Sequence, residues 1–412
     1  MEAAAPAENG PNFSNKSSIT TCHVHLLPHH YGKLLFKSKK GLLTLLCTIA
    51  LIVVSYAALA SVPSYFFYAP FQLPPQIRTF FDGILHDQQH ERKMKEVLER
   101  AAMPHSKTVI ITTLNSAWAK EGTMIDIFLE SFWHGHGTRP LLQHLVLVCV
   151  DAAAYERCLV IHPHCLFITT PGVDFSGEQL LLSGDYIKLM WRRIKFLQTI
   201  LQMNYSFVFT DTDVLWFRNP FPQLEMDPQA DFQIACDLYN GKPSDLHNSP
   251  NAGFTFAHAN ERTIRFYEYW YEERKRGAHM ADQEVLNSIK FEHTFASIGL
   301  NIRFLDTQYF GGFCALRTTN MTKAITMHAT CCKGLDAKLI DLRAMLEEWK
   351  KWAAQNHTLT VRAPDDEVLA LMFLLYLPNC IHVLAKSGTR LTRIISKSGA
   401  RLKVRVHNSK KE

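Results

Sequence analysis

The sequence predicts an α/β fold with a mostly parallel sheet behind a single N-terminal membrane-spanning helix. Short β-branched apolar runs alternate with segments of helical periodicity from residue 107 onward. Parallel strands joined by helices show this pattern, as in Rossmann-like folds. A carboxylate pair follows one of these runs directly, at the strand end where open α/β sheets bind ligands. An uncharged apolar run of 21 residues near the N-terminus predicts the membrane helix.

The apolar run covers residues 42–62, and a helix of that length spans roughly 30 Å, the thickness of a bilayer core. Four lysines precede it closely: Lys33, Lys37, Lys39 and Lys40. Because positive charge stays cytosolic, residues 1–41 are expected in the cytosol and the rest of the chain in the lumen. A cleaved signal peptide is disfavoured, since its apolar region is shorter and nearer the N-terminus. Residues 63–105, proline-rich at their start, are expected to form a stem.

Composition and charge exclude several classes of protein. The 412 residues are 47% hydrophobic and 20% charged, which excludes a wholly disordered chain. The net charge of +6 comes from residues 361–412, which hold ten Lys and Arg against four acids. The first 360 residues carry 34 charges of each sign, so no broad basic surface for nucleic acid is expected. Residues 361–412 are an atypical basic extension.

The elements follow from the periodicity in chain order. Apolar runs predict strands at Thr108–Leu114, Leu145–Val150, Cys165–Thr169, Ser206–Thr210, Phe232–Ala235, Thr255–Ala257 and Arg303–Leu305. Helical spacing predicts helices at Glu91–Ala102, Trp118–Trp133, Ala152–Cys158, Tyr186–Met203, Thr263–Arg276 and Asp282–Ile289. No G-x-G-x-x-G follows the first strand, so the dinucleotide-binding fingerprint is absent.

Cysteines and sequons fit a lumenal domain. Eight of the ten cysteines lie after the apolar run, where disulfides are permitted. Eight cysteines allow 105 pairings, so none is assigned; Cys158 with Cys165, and Cys314 with Cys331 or Cys332, are candidates. Within the part expected in the lumen, glycosylation sequons begin at Asn204, Asn320 and Asn356.

The sharpest feature is Asp211-Thr212-Asp213, which directly follows the buried run Ser206–Thr210. If the chain is extended there, residues i and i+2 point the same way and lie roughly 6.6 Å apart. Two carboxylates so placed can share one Mg²⁺ or Mn²⁺, which prefer oxygen ligands and often carry phosphate oxygens as well. The alternative is a solvated turn after a strand. Apolar flanks favour the metal site, because buried carboxylates repel each other without a cation.

FVFTDTDVLWFRNPFP resembles the metal-binding segment of plant-type nucleotide-diphospho-sugar transferases, related to glycosyltransferase family 77. Further segments match in the same order: VIITTLNSAW, LLQHLVLVCVDAAAYERC, VDFSGEQLLLSGDYIKLMWRRIKFL, DFQIACD, NSPNAGFTF, ADQEVLN, IRFLDTQYFGGFC and MHATCC. The resemblance implies a GT-A fold over residues 106–355 and a Golgi type II enzyme. It also implies a nucleotide-sugar donor, a divalent metal, retention of anomeric configuration, and a cell-wall polysaccharide or glycoprotein acceptor.

The resemblance also implies roles for individual residues. Asp211 and Asp213 would hold Mn²⁺, or Mg²⁺, against the donor diphosphate, with His328 as the third ligand. Asp282 and Gln283 would bind donor-sugar hydroxyls, so the expected catalytic residues are Asp211, Asp213, Asp282 and Gln283. The usual His-Asp-Gln of the family is altered here, because Ala281 stands where the His is expected. Asp282 alternatively caps a helix.

A second set of residues is expected to bind the donor nucleotide. Thr112, Thr113 and Asn115 end the first strand, where GT-A folds contact the nucleoside; helix capping is the alternative for Asn115. Arg192 and Arg193 precede the metal strand, and a guanidinium there either binds diphosphate or makes a salt bridge. Asn251 and Gly253 match a small-residue turn that lets substrate approach the backbone.

The sequence also allows two other functions. A catalytically inactive Golgi scaffold or glycan-binding protein with the same fold is the main alternative, which the altered position 281 favours and the intact carboxylate pair disfavours. Haloacid-dehalogenase-type phosphatases also carry D-x-D after a strand, but Leu215 replaces their usual Thr or Val. Residues 361–412 either lie outside the folded enzyme or form a basic tail that contacts anionic polysaccharide.

Overall fold

The computed structural model describes residues 50, 51, 54, 89–170, 172–178, 183–277, 279–314, 321–358, 390–394 and 403–407. Contacts divide the chain into two units, 1–81 and 82–412. In the first unit, Ala50, Leu51 and Val54 are helical and exposed. The rest of the predicted span 42–62 lies outside the described residues, as do the cytosolic tail and most of the stem. No helix among the described residues is long and apolar enough to cross a membrane.

The second unit is built on a seven-stranded sheet. Its strands are β1 (Thr108–Leu114), β2 (Leu145–Cys149), β3 (Cys165–Phe167), β4 (Ser206–Thr210), β6 (Phe232–Leu238), β7 (Ser249–Ala257) and β8 (Ile302–Phe304), in the spatial order β3-β2-β1-β4-β7-β6-β8. Four of the six pairings are parallel. Strand β7 alone runs antiparallel to both of its neighbours. The predicted α/β fold with a mostly parallel sheet is confirmed.

A smaller three-stranded sheet includes the strand that follows β4 in the chain. It consists of β5 (Val214–Trp216), β9 (Phe310–Gly312) and β10 (Thr326–His328), in the order β5-β10-β9. Strand β10 is antiparallel to β5, with His328 opposite Val214, and parallel to β9, with His328 opposite Gly312. The sequence analysis predicted none of these three-residue strands.

Helices cover the large sheet. They are α1 (89–101), α2 (Ser116–Ala119), α3 (Met124–His134), α4 (Ala152–Ile161), α5 (Gly184–Gln202), α6 (Phe221–Leu224), α7 (Glu261–Glu272), α8 (Asp282–Ile289), α9 (His293–Ile298) and α10 (Leu335–Thr358). Helix α5 buries its apolar stripe, including Ile187, Ile194 and Leu201, against β1 and β4 residues. Its N-cap Ser183 accepts a hydrogen bond from the Tyr186 amide, which satisfies a free helix-end donor.

Several local predictions differ from the structure. The segment predicted as one helix, Trp118–Trp133, is two helices separated by residues 120–123, where Gly122 adopts φ +70°. Helix α1, which the sequence analysis placed in the stem, packs Met94, Val97 and Leu98 into the core of the domain. The folded domain therefore includes residues before 106. In the basic extension, β11 (Arg390–Ile394) and β12 (Lys403–His407) form an antiparallel pair.

The disulfides include both candidate bridges. Cys158 is bonded to Cys165, and Cys314 is bonded to Cys331. The second bridge joins the end of β9 to the chain just after β10. These two strands are neighbours in the small sheet, so the bridge ties them together.

Candidate active site

The carboxylate pair lies at the end of β4, at the edge of the sheet where the parallel strands end. Residues 211–213 form a turn rather than the extended segment predicted from spacing. The middle residue holds the turn in place: Thr212 Oγ1 donates to the Thr113 carbonyl at 2.9 Å and lies 3.1 Å from Thr112 Oγ1. The turn brings both carboxylates to one side of the chain, as predicted, by a different geometry.

His328 completes the cluster because β10 is paired with β5, the strand that follows the turn. Its Nε2 lies 3.3 Å from Asp213 Oδ1 and 3.9 Å from Asp211 Oδ2. One ligand atom from each of the three residues lies within 4.8 Å of the others. Two carboxylate oxygens and one imidazole nitrogen suit a divalent cation such as Mn²⁺. The three residues expected as metal ligands are therefore brought together and fit the metal.

Gly253 on β7 makes room for His328. A Cβ at this position would lie 2.3 Å from His328 Cε1 and 2.8 Å from Nδ1. The Gly253 carbonyl also accepts a hydrogen bond from the Asp211 amide at 2.7 Å. A side chain at 253 would displace the imidazole, so the residue must be glycine for the cluster to form.

Arg193 is buried, with 4% of its side chain exposed, and its guanidinium joins two acids. Nη1 donates to Asp211 Oδ1 at 2.8 Å and Nη2 donates to Asp282 Oδ2 at 2.5 Å. The salt-bridge alternative is therefore the one observed for Arg193, and its role is to hold the two carboxylates. Asp282 is the first residue of α8, after the N-cap Ala281, so it does not act as the cap.

Three predicted nucleotide-binding residues make structural contacts instead. Asn115 caps α2 by accepting from the Trp118 amide, and its Nδ2 donates to the Phe175 and Gly177 carbonyls. This is the capping alternative. Arg192 donates to the Thr169 carbonyl at 3.2 Å, and no described contact joins it to the metal cluster. Thr112 is likewise buried against Thr212.

A pocket adjoins the metal cluster and contains a third carboxylate. Asp237, at the end of β6, accepts from Asn251 Nδ2 at 2.8 Å and from Gln283 Nε2 at 3.0 Å. Asp237, Asn251 and His328 line the pocket together with Thr330, and Phe254 and Phe310 form part of its apolar lining. The predicted residues Asn251 and Gln283 thus meet at Asp237, which the sequence suggests only as a minority candidate for a nucleophile. The sequence signal for Asp237 is its position after a predicted strand, which ends at the same edge of the sheet as β4.

Lys338 is a site residue that was not predicted from the sequence. It lies in the first turns of α10, and its Nζ makes an ion pair with Asp213 Oδ2. The ammonium also lies 5.5 Å from the centroid of the Trp118 ring. The only sequence signal is a lysine ten residues after His328 at the start of an amphipathic segment. Such lysines are common on solvated helix faces, so the pattern alone does not identify it.

The surroundings shift the pKa values of the two carboxylates in opposite directions. Burial raises the pKa of Asp211 despite the opposing charge of Arg193. Burial would also raise the pKa of Asp213, but Lys338 and His328 outweigh it and hold that pKa below its usual range. Burial disfavours the protonated form of His328, yet the facing Asp213 and Asp211 raise the pKa of the imidazole above its ordinary value. A cation at this position would replace the imidazolium proton as the neutralising charge.

Relatives were found by sequence comparison. An Arabidopsis thaliana protein, Uncharacterized protein At4g15970, is 47% identical over 287 residues, covering 68% of this chain and 75% of that protein. Uncharacterized protein At1g28695 of the same plant is 40% identical over 269 residues, covering 64% of this chain and 80% of that protein. Beta-arabinofuranosyltransferase RAY1, also from Arabidopsis thaliana, is 36% identical over only 70 residues, which are 17% of this chain and 13% of that protein.

Solved glycosyltransferase structures align more distantly. The galactosyltransferase LgtC aligns at a TM-score of 0.36 and 16% identity, covering 63% of this chain and 99% of LgtC. Mouse Xyloside xylosyltransferase 1 aligns at 0.34 and 13% identity, covering 54% of this chain and 98% of that chain. These TM-scores are too low to transfer site geometry.

The family model for nucleotide-diphospho-sugar transferases matches residues 140–342. That segment contains Asp211, Asp213, Asp282 and His328, and it ends just after Lys338. Together with the close relatives, the match confirms the resemblance and the transferase class: the chain belongs to the nucleotide-diphospho-sugar transferase family.

Proposed function

We propose that the protein is a metal-dependent glycosyltransferase that moves a sugar from a UDP-linked donor to a cell-wall polysaccharide or glycoprotein, with retention of anomeric configuration. The observation that carries the proposal is the Asp211, Asp213 and His328 cluster, built from the turn after β4 and from β10 at the ligand-binding edge of the sheet. The family supplies the donor class. The scaffold alternative is disfavoured, because buried acids packed around a candidate metal site carry a stability cost that a scaffold does not need.

Asp211, Asp213 and His328 would hold Mn²⁺ or Mg²⁺. The bound metal supplies neutralisation of the charge that develops on the leaving nucleotide diphosphate. Arg193 fixes Asp211 and Asp282, so the first ligand is oriented before substrate binds. Lys338 adds a positive charge on the Asp213 side of the cluster.

The pocket beside the cluster would receive the donor sugar and the attacking hydroxyl. Asp237 is held by the two amides of Asn251 and Gln283, so its orientation is fixed, and a fixed carboxylate at a pocket wall is suited to accept hydrogen bonds from sugar hydroxyls. Front-face substitution suits this arrangement. The bond between the anomeric carbon and the diphosphate oxygen breaks, a bond to the acceptor oxygen forms, and the acceptor proton passes to the leaving phosphate.

We also propose a single-pass type II location in the Golgi membrane, with the enzyme domain in the lumen. The uncharged run at 42–62 and the lysines before it support this location. The Cys158–Cys165 and Cys314–Cys331 disulfides are compatible with an oxidising lumen. Protease protection of the domain in sealed Golgi vesicles, lost when detergent is added, is the expected result.

Donor hydrolysis tests the catalytic proposal. The purified full chain is offered UDP-arabinofuranose, UDP-xylose and UDP-galactose, each with Mn²⁺, with Mg²⁺ and with chelator; the relative named as an arabinofuranosyltransferase motivates the first donor. We expect metal-dependent cleavage of one donor and a loss of at least about 100-fold in Asp213→Asn. Asp227→Asn is the control, since Asp227 pairs with Arg303 before β6, at the opposite edge of the sheet.

Two results would contradict the proposal. Metal-dependent UDP binding without cleavage of any donor, even with acceptor glycans present, would support the scaffold alternative. Equal cleavage by the wild-type chain and Asp213→Asn would remove the metal cluster from the mechanism.

A further inference from the structure

Each carboxylate of the cluster divides its two oxygens in the same way. Asp211 directs Oδ1 to Arg193 and Oδ2 towards His328, whereas Asp213 directs Oδ2 to Lys338 and Oδ1 towards His328. One oxygen of each acid is therefore paired with a protein cation, and the other faces the imidazole. The two cations differ in how firmly they are held.

Arg193 is buried and bonded to two acids, whereas Lys338 is partly exposed and pairs with one acid beside the Trp118 ring. Arg193 is 4% exposed and bonded to two acids from different elements. Lys338 is 20% exposed and its ammonium pairs with Asp213. A lysine ammonium is a point charge on a flexible stem, while a guanidinium is a rigid fork that bonds two partners at once. Any cation that binds Asp213 must therefore share this carboxylate with Lys338 or displace it.

The charges near Asp213 show why it is unfavourable for a cation to share this carboxylate with Lys338. Asp213 carries one negative charge and already pairs with the ammonium of Lys338. A divalent cation on the same carboxylate would lie close to that ammonium in a mostly buried site, where repulsion between cations is strong. A nucleoside diphosphate that arrives with the cation brings the compensating negative charge.

We propose that Lys338 acts as an internal competitor for the cation: it weakens binding of the metal alone and makes metal binding depend on the nucleoside diphosphate. This inference rests on the proposed metal-dependent function. It deepens that function by assigning to Lys338 the coupling between the two ligands. The coupling is reciprocal, so the diphosphate must also bind more tightly when the metal is present.

Metal titrations of the chelator-stripped full chain test this inference without an activity assay. Mn²⁺ binding is measured by calorimetry or by the loss of the free Mn²⁺ paramagnetic resonance signal, with and without UDP. In Lys338→Met we expect the Kd for Mn²⁺ alone to fall by at least about tenfold, because the competing charge is gone. The improvement that UDP gives to Mn²⁺ affinity should shrink by a similar factor.

Two further variants sharpen the test. Lys338→Arg keeps a positive charge and should bind Mn²⁺ alone as weakly as the wild type. Lys333→Met removes an exposed lysine from the same segment and should also behave as the wild type. Thermal unfolding of each variant checks that it is folded.

The outcomes separate this inference from the proposed function. If the wild type binds Mn²⁺ with UDP but Lys338→Met binds Mn²⁺ alone no more tightly, the competitor role is wrong and the metal site stands. Tight binding of Mn²⁺ alone by Lys338→Arg would also overturn it. If no variant binds Mn²⁺ under any condition, the metal site itself is wrong and both proposals fail.

Discussion

A single methyl group at Gly253 should disable the cluster without unfolding the protein. In Gly253→Ala the new Cβ would lie 2.3 Å from His328 Cε1, whereas ordinary contact begins at 3.4 Å. The imidazole must therefore retreat by the difference, about 1.1 Å. It cannot move with its strand, because the Ala329 amide donates to the Asp213 carbonyl at 3.0 Å and fixes the backbone beside it. The ring itself therefore has to rotate out of its present position, and the Asn251 carboxamide, 2.9 Å from the new Cβ, has to shift as well.

The expected loss follows from that displacement. A misplacement of about 1 Å in a catalytic constellation costs up to about 100-fold. We expect Mn²⁺ to bind the UDP-loaded full chain about 10- to 100-fold more weakly, which is about 1–3 kcal/mol. Calorimetry gives the affinity, and donor hydrolysis should fall in parallel at subsaturating Mn²⁺. The backbone of Gly253 is outside the left-handed region, so the substitution acts through the site and not through strain.

The control is Gly184→Ala, at the first residue of α5. A Cβ there meets no atom within 4 Å, so metal affinity should equal that of the wild type. Wild-type Mn²⁺ affinity in a folded Gly253→Ala protein would refute the steric argument and, with it, the role of His328 as a ligand.

The remaining predictions concern charge. Arg193→Met leaves Asp211 and Asp282 without their shared cation and should cost about 3–5 kcal/mol in urea unfolding, whereas Arg192→Met, beside it, should cost far less; equal losses would contradict the buried bridge. Because the pKa of His328 is raised in the folded protein, its stabilising contribution to the chelator-treated chain is complete below about pH 6.5 and is lost as pH rises through the folded pKa. The difference in unfolding free energy between the wild type and His328→Gln should therefore shrink across that range, and a difference independent of pH would contradict it.

The elements with strong periodicity were predictable. The bounds of β1, β4 and α8 match the predictions, because buried β-branched runs and a short amphipathic helix carry their own signals. Strands β5, β9 and β10 were missed; each has only three residues, too few to show a period, whereas the equally short β3 and β8 lie within longer apolar runs. The C-terminal end of β7 was predicted from the sequence, but its antiparallel direction was not. The direction of a strand depends on the segment that connects it to the strand before it. The ten residues 239–248 between β6 and β7 are too few for a crossover helix, so the two strands pair antiparallel.

The candidate site was likewise predictable only in part. The metal ligands were predictable because D-x-D after a buried strand and the family resemblance both indicate them. The partners of those ligands were not, since each comes from another element: Arg193 from α5, Asp282 from α8 and Lys338 from α10. A sequence places a residue on an element, but only the packing of that element decides which charge it meets. Arg193 was expected to bind either phosphate or an acid, and the fold decides for the acid.

The arrangement of charges also explains why a cluster of three acids can exist in this fold. Burial disfavours every carboxylate in it, and it raises the pKa of Asp211 even beside Arg193. Arg193 permanently offsets one of the two negative charges on its side, because its guanidinium is buried and cannot lose its proton. Lys338 neutralises Asp213 from the partly exposed side, where it can be replaced. The site is thus buried and doubly bonded at Asp211, where the proposed ligand is oriented, and partly exposed at Lys338 beside Asp213, where the proposed cation and diphosphate would enter.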